Sequence, residues 1–145
     1  MLWALEGSVL LWYGLRLKRS LACAAGMLLQ FAAGLYFIVH IGDAGHTRHF
    51  FNSVVIGAIV IALAALFGAR LLERAGKEPD WSLTAARTLI VWALAWIAYA
   101  AWRDIDAFVE LQNQPAAALA AGAMLALLFD TAGRALGSRI LRLPA

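Results

Sequence analysis

The sequence predicts an all-α fold, a polytopic transmembrane helical bundle of about five spanning helices. Three observations carry this reading. Of the 145 residues, 63% are hydrophobic and only 14% charged, against roughly 45–50% and about 25% in soluble domains. Uncharged runs long enough to cross a bilayer recur along the chain, and basic residues gather between alternate runs. A water-soluble domain of this size exposes roughly a third of the surface of its unfolded chain, which these residues cannot cover with polar groups. Soluble enzymes, nucleic-acid modules and disordered chains are thereby excluded, and no nucleic acid is expected as a partner.

A spanning helix needs about 20 apolar residues at 1.5 Å rise each. The first run, Leu2–Leu17, is short and carries Glu6; no basic residue precedes it, so insertion is expected through the spans rather than a cleaved signal peptide. The second and third, Leu21–Ile41 and Phe50–Ala69, contain no charge at all. The fourth, Leu83–Trp102, holds Arg87 in its first two turns, from where the guanidinium can snorkel to the surface. The fifth, Pro115–Leu136, opens on a proline, which suits a first turn with no N–H to satisfy, and ends near Asp130 and Arg134. No Pro- or Ser-rich linker interrupts the chain, so residues 1–145 read as a single transmembrane domain.

Charge placement gives an orientation. With five spans, one side of the membrane holds Arg16, Lys18 and Arg19, then Arg70, Arg74, Lys77 and Arg87, then Arg134, Arg139 and Arg142, ten of the 12 basic residues. Only Arg48 and Arg103 fall on the other. Basic residues of short loops stay cytoplasmic, which places the N-terminus outside and the C-terminus in the cytoplasm. The net charge of +3 is then topogenic rather than a nucleic-acid footprint. Trp3, Trp12, Tyr13, Tyr36, Trp81 and Trp102 fall near helix ends, where interfacial aromatics belong. Trp92, Trp96 and Tyr99 form a deeper stripe on the fourth helix, read first as packing and alternatively as a ligand platform.

Small residues mark where helices can approach closely: Ala22, Gly26, Gln30 and Gly34 on the second helix, Ala58, Ala62 and Ala65 on the third, Ala118, Gly122 and Ala126 on the fifth. The single cysteine, Cys23, has no internal disulfide partner and reads as a small hydrophobe.

Opening Leu2-Trp-Ala-Leu-Glu-Gly7, then Leu11-Trp-Tyr-Gly-Leu-Arg16 with a basic cluster, the chain resembles a bacterial family of multi-pass membrane proteins, domain of unknown function 2339. Phe50-Phe-Asn52 before Ile56-Gly57, and the Trp92…Trp96 helix ending in Arg103-Asp-Ile-Asp-Ala-Phe108, are similar too. The resemblance covers most of the chain. Members are much longer, so it implies a section or truncated relative of such a protein in the bacterial cytoplasmic membrane. It carries over no catalytic residue.

Few polar groups lie within the spans. Glu6 is either an interface-proximal carboxylate near Arg48 or Arg103, or a cation site facing the bundle interior. Gln30, near the centre of the second helix, is expected to hydrogen-bond between helices. Asp130 and Arg134, at i and i+4, are expected to pair. His40, Asp43, His46 and His49 recur every third residue in a glycine-containing loop; imidazole and carboxylate ligate zinc, but this spacing does not by itself make the side chains converge. After Trp102, the acidic residues Asp104, Asp106 and Glu110 alternate with Ile105, Phe108 and Val109, as in an amphipathic continuation of the fourth helix lying on the outer surface.

There is no phosphate-binding glycine loop, zinc-protease motif, nucleophile elbow or cysteine pair. No cofactor is expected, and an enzymatic role is not the leading reading. The expected partners are the lipid bilayer and further transmembrane helices of the same or another chain. The leading expectation is a structural or assembly segment of a larger multi-pass protein. A transporter or lipid- and glycan-handling section lined by Glu6, Gln30 and Asp130 is the alternative, and a membrane-embedded hydrolase using the His/Asp loop is a second one.

Overall fold

The computed structural model describes residues 2–40, 53–75 and 81–135. Five α-helices follow one another, α1 (Leu2–Arg16), α2 (Ser20–His40), α3 (Ser53–Ala75), α4 (Ser82–Phe108) and α5 (Gln114–Ala135), with a single 3-10 turn at Leu111–Asn113 and no strand among the described residues. The all-helical expectation holds. Four stretches are long and apolar enough to cross a membrane, Ser20–His40, Val54–Ala75, Ser82–Phe108 and Leu111–Thr131. The expected first span is the exception. At 15 residues, α1 rises only about 22 Å, short of the roughly 30 Å hydrocarbon core.

One boundary differs from the sequence reading for a physical reason. The third helix runs on past Ala69 to Ala75. Its apolar face continues through Leu72, which is fully buried, and Arg70 is neutralised by Glu73 at 2.7 Å, so charge at this point does not end the helix. The fourth continues past Trp102 to Phe108 in one helix, as the amphipathic pattern of that segment predicts.

The chain divides into two units, Met1–Ala100 and Ala101–Ala145. In the first, α1 and α2 form an antiparallel hairpin. α1 ends in a Schellman turn: the Arg19 N–H donates to the Gly14 carbonyl at 2.8 Å and the Lys18 N–H to that of Leu15 at 3.3 Å. Glycine usually fills the left-handed position of this turn. Here Lys18 adopts it, with φ of 52°, at a cost of about 1–2 kcal/mol.

The hairpin is tight because its facing stripes are small. Gly7, Ser8, Leu11 and Gly14 of α1 are buried against Cys23, Gly26 and Gln30 of α2. At Gly26 a Cβ would lie 2.6 Å from the Gly7 carbonyl oxygen and 2.7 Å from the Leu11 nitrogen, so only glycine permits this approach. α3 is the most buried of the spans. Its Ala58, Ala62 and Ala65 ladder lies wholly in the core, as the small-residue spacing predicts.

α4 meets the hairpin differently. Trp92 and Trp96 press into the notch at Gly34, Phe31 packs edge-on against Trp92 with centroids 5.0 Å apart, and Phe37 lies 5.7 Å from Trp96. Trp92 and Trp96 of the aromatic stripe therefore serve helix packing. Leu89 reaches toward Gly68 of α3 from the same face.

In the second unit, the Val109 N–H caps the end of α4 by donating to Ile105 O at 2.9 Å, and Gln112 Nε2 donates to Glu110 Oε2 at 2.9 Å. The small-residue ladder of α5 has a different outcome from that of α3, since a Cβ at Gly122 would meet nothing within 4 Å.

These contacts predict opposite results for two glycines. Gly26→Val should destabilise the helical state by about 1–3 kcal/mol by forcing α1 off α2. Gly122→Ala should be neutral or slightly stabilising, because it removes only the helix penalty of glycine. Thermal melts followed by far-ultraviolet circular dichroism in detergent distinguish the two.

Candidate functional site

In the first unit a polar cluster is built where three helices meet. Gln30, 1% exposed, projects from α2 between α1 and α3. Its carboxamide nitrogen donates to Ser8 Oγ at 2.7 Å and to the Ala64 carbonyl of α3 at 3.2 Å. The Ser8 hydroxyl in turn donates to the carbonyl of Ala4 or of Ala64, each at 3.1 Å. Gly68, one turn after Ala64, leaves room for the carboxamide, since a Cβ there would lie 3.3 Å from Gln30 Nε2.

Every member of this cluster is neutral. A serine hydroxyl with no base beside it is not an activated nucleophile, and a carboxamide moves no proton at ordinary pH. Both Gln30 amide protons are spent on helix contacts, while its Oε1 accepts no hydrogen bond among the described residues. The arrangement can fix helix register, which agrees with the inter-helix role expected of Gln30. Ser8 was not legible as its partner; the only signal was its place on the stripe with Ala4, Gly7, Leu11 and Gly14.

The other candidates do not converge on this point. Glu6 is exposed on the opposite face of α1, at a shallow apolar groove with Leu5, Val9 and Leu29. His40 stacks on Tyr36 with centroids 3.8 Å apart, and its Nδ1 lies 2.9 Å from the Tyr36 carbonyl. Asp43, His46 and His49 lie outside the described residues, and with them the candidate zinc loop. No group of three metal-ligating side chains occurs among the described residues. Asp130 is half-buried on α5, and the side chain of its expected partner Arg134 is outside the described residues, as are Arg139 and Arg142.

The basic anchors of the first unit share one end. Arg16 lies over the Trp12 ring at 5.4 Å, Lys18 and Arg19 form the α1–α2 turn, and Arg70 and Arg74 occupy the last turns of α3. Lys18, Arg19, Ala75 and Trp81 border a common cleft, which brings the α1–α2 turn, the end of α3 and the start of α4 together. Trp3 and Tyr36, 5.3 Å apart, mark the opposite end.

A double-mutant cycle tests the cluster. Ser8→Ala and Gln30→Leu should each destabilise the bundle in detergent unfolding, with a coupling of about 0.6–1.7 kcal/mol, the range found for hydrogen bonds between membrane helices. Strict additivity would mean that the two side chains do not interact. No known protein family, curated protein or solved structure matches this chain.

Proposed function

We propose that the chain is an integral protein of the bacterial cytoplasmic membrane and serves as a structural or assembly segment of a multi-pass protein, of the kind its resemblance to domain of unknown function 2339 implies. The observation that carries this reading is the use of the buried polar side chains. Gln30 and Ser8 are committed to holding three helices together, and Glu6 lies away from them on an outward face. A path for ions needs polar groups gathered along a common space. Glu6 and Gln30 are on different sides of the hairpin, which gives transport no support. Large apolar residues point outward from every helix of the bundle, among them Leu28, Leu35, Leu63, Phe67 and Val91. Lipid or further transmembrane helices are the partners such faces accept.

The orientation that fits this reading puts the basic end in the cytoplasm and the N-terminus outside. Cysteine accessibility tests it. In a Cys23→Ala background, an impermeant maleimide applied to intact spheroplasts should label His40→Cys and leave Lys18→Cys unlabelled until the membrane is opened. The reverse pattern would invert the topology.

Flux measurements test the role itself. Proteoliposomes holding wild-type protein or Glu6→Gln should leak protons and potassium no faster than protein-free vesicles. A protein-dependent flux abolished by Glu6→Gln would replace the assembly reading with transport.

A further inference from the structure

Two clefts of the first unit meet at one side chain. The first, about 380 Å³, opens at the basic end, where Lys18, Arg19 and Ser20 line it together with Ala75 and Trp81. The second, about 530 Å³, runs between α2 and α4, with Met27, Leu28 and Phe31 on one wall and Ala85, Thr88 and Leu89 on the other. Trp81 borders both. We propose that the joined clefts bind one phosphate-bearing lipid, its anionic headgroup against Lys18 and Arg19 and an acyl chain along the α2–α4 groove.

The groove has a cause in the packing. Toward the middle of the bundle, Phe31 and Trp92 fill the space between α2 and α4. Toward the basic end, Ala24 and Ala85 are too small to do so, and the groove remains. Its chemistry is hydrocarbon-like. The Thr88 hydroxyl bonds back to the Thr84 carbonyl at 3.0 Å, so it presents no unsatisfied polar group to a chain. From Ala24 to Phe31 the wall rises about 10 Å, enough for the upper part of an acyl chain.

The cationic cleft adds what a hydrocarbon groove lacks. Lys18 and Arg19 are both exposed side chains on its rim, and a basic pocket between helices at a membrane surface suits an anionic headgroup. Trp81, at the junction, has the amphipathic ring favoured at headgroup depth. The backbone points the same way. Lys18 holds the left-handed position of the α1–α2 turn, with φ of 52°, where glycine would be unstrained. The turn thereby sets the Lys18 side chain at the cleft. A free anion would use only the first cleft and a neutral lipid only the second; an anionic lipid uses both.

This inference rests on the bilayer placement proposed above, but not on the assembly role or on which side faces the cytoplasm. Native mass spectrometry of the full chain, released from micelles doped with phosphatidylglycerol, phosphatidylcholine or glycerol phosphate, tests it. One phosphatidylglycerol should be retained per chain, in preference to the other two. Each basic residue near a membrane surface contributes about fivefold, so Lys18→Gln with Arg19→Gln should lower retention about 30-fold. Thr88→Phe, on an exposed groove position, should remove the lipid while keeping both cations. Arg87→Gln, outside both clefts, should change nothing, with helicity checked for every variant. Equal retention of phosphatidylcholine, retention of glycerol phosphate as strong as that of lipid, or indifference to either the cation or the groove variant would each overturn the proposal.

Discussion

The contact on which the first unit depends is the meeting of two helix backbones at Gly7 and Gly26. Helices in a bilayer gain little from burying apolar surface against one another, because lipid is equally apolar, so van der Waals contact and hydrogen bonds must hold them. Glycine removes the side-chain layer that would otherwise keep α1 and α2 apart. That closeness has a second effect: it brings Ser8 within 2.7 Å of Gln30, and both within reach of the Ala64 carbonyl of α3. The carboxamide would be costly to leave unbonded in this setting. Its two donated bonds tie the hairpin to the central helix.

The remaining packing follows from the same stripe. Gly34 extends the small face of α2 by two turns beyond Gly26 and makes the notch that Trp92 and Trp96 occupy. α4 is thus held by ring contacts instead of backbone contacts. Where the rings stop, an apolar groove opens beside the basic end. The Gln30–Ser8 cluster is neutral and structural, and Glu6, Lys18 and Arg19 lie exposed outside it. Whatever this chain recognises, its surfaces carry more of the relevant chemistry than its core.

Much of this was legible in the sequence, for definable reasons. Span class follows from uncharged runs, and the core ladder of Ala58, Ala62 and Ala65 follows from spacing, because in lipid small residues face helices. Periodicity places Trp92, Trp96 and Tyr99 on one stripe but leaves packing and a ligand platform both open; the contacts of Trp92 and Trp96 at Gly34 decide for packing at those two. The end of α3 was not legible: Arg70 looks like a terminus, whereas its bond to Glu73 and the burial of Leu72 carry the helix onward. Gln30 could be singled out as a lone polar group in an apolar helix, whereas its partner Ser8 could not. Serine occurs too commonly at helix ends and turns for one more, two turns into a short first helix, to stand out. The two clefts depend on the juxtaposition of residues far apart in sequence, which no local pattern encodes.

The Gln30 carboxamide is locked between α1 and α3. Solution NMR on protein labelled with nitrogen-15 at its three glutamines observes this group directly, since Gln112 and Gln114 are the only others. A locked carboxamide gives one slowly exchanging side-chain amide with nuclear Overhauser contacts to the Ser8 methylene and the Gly68 α-protons. Three rapidly exchanging amides without such contacts would contradict it.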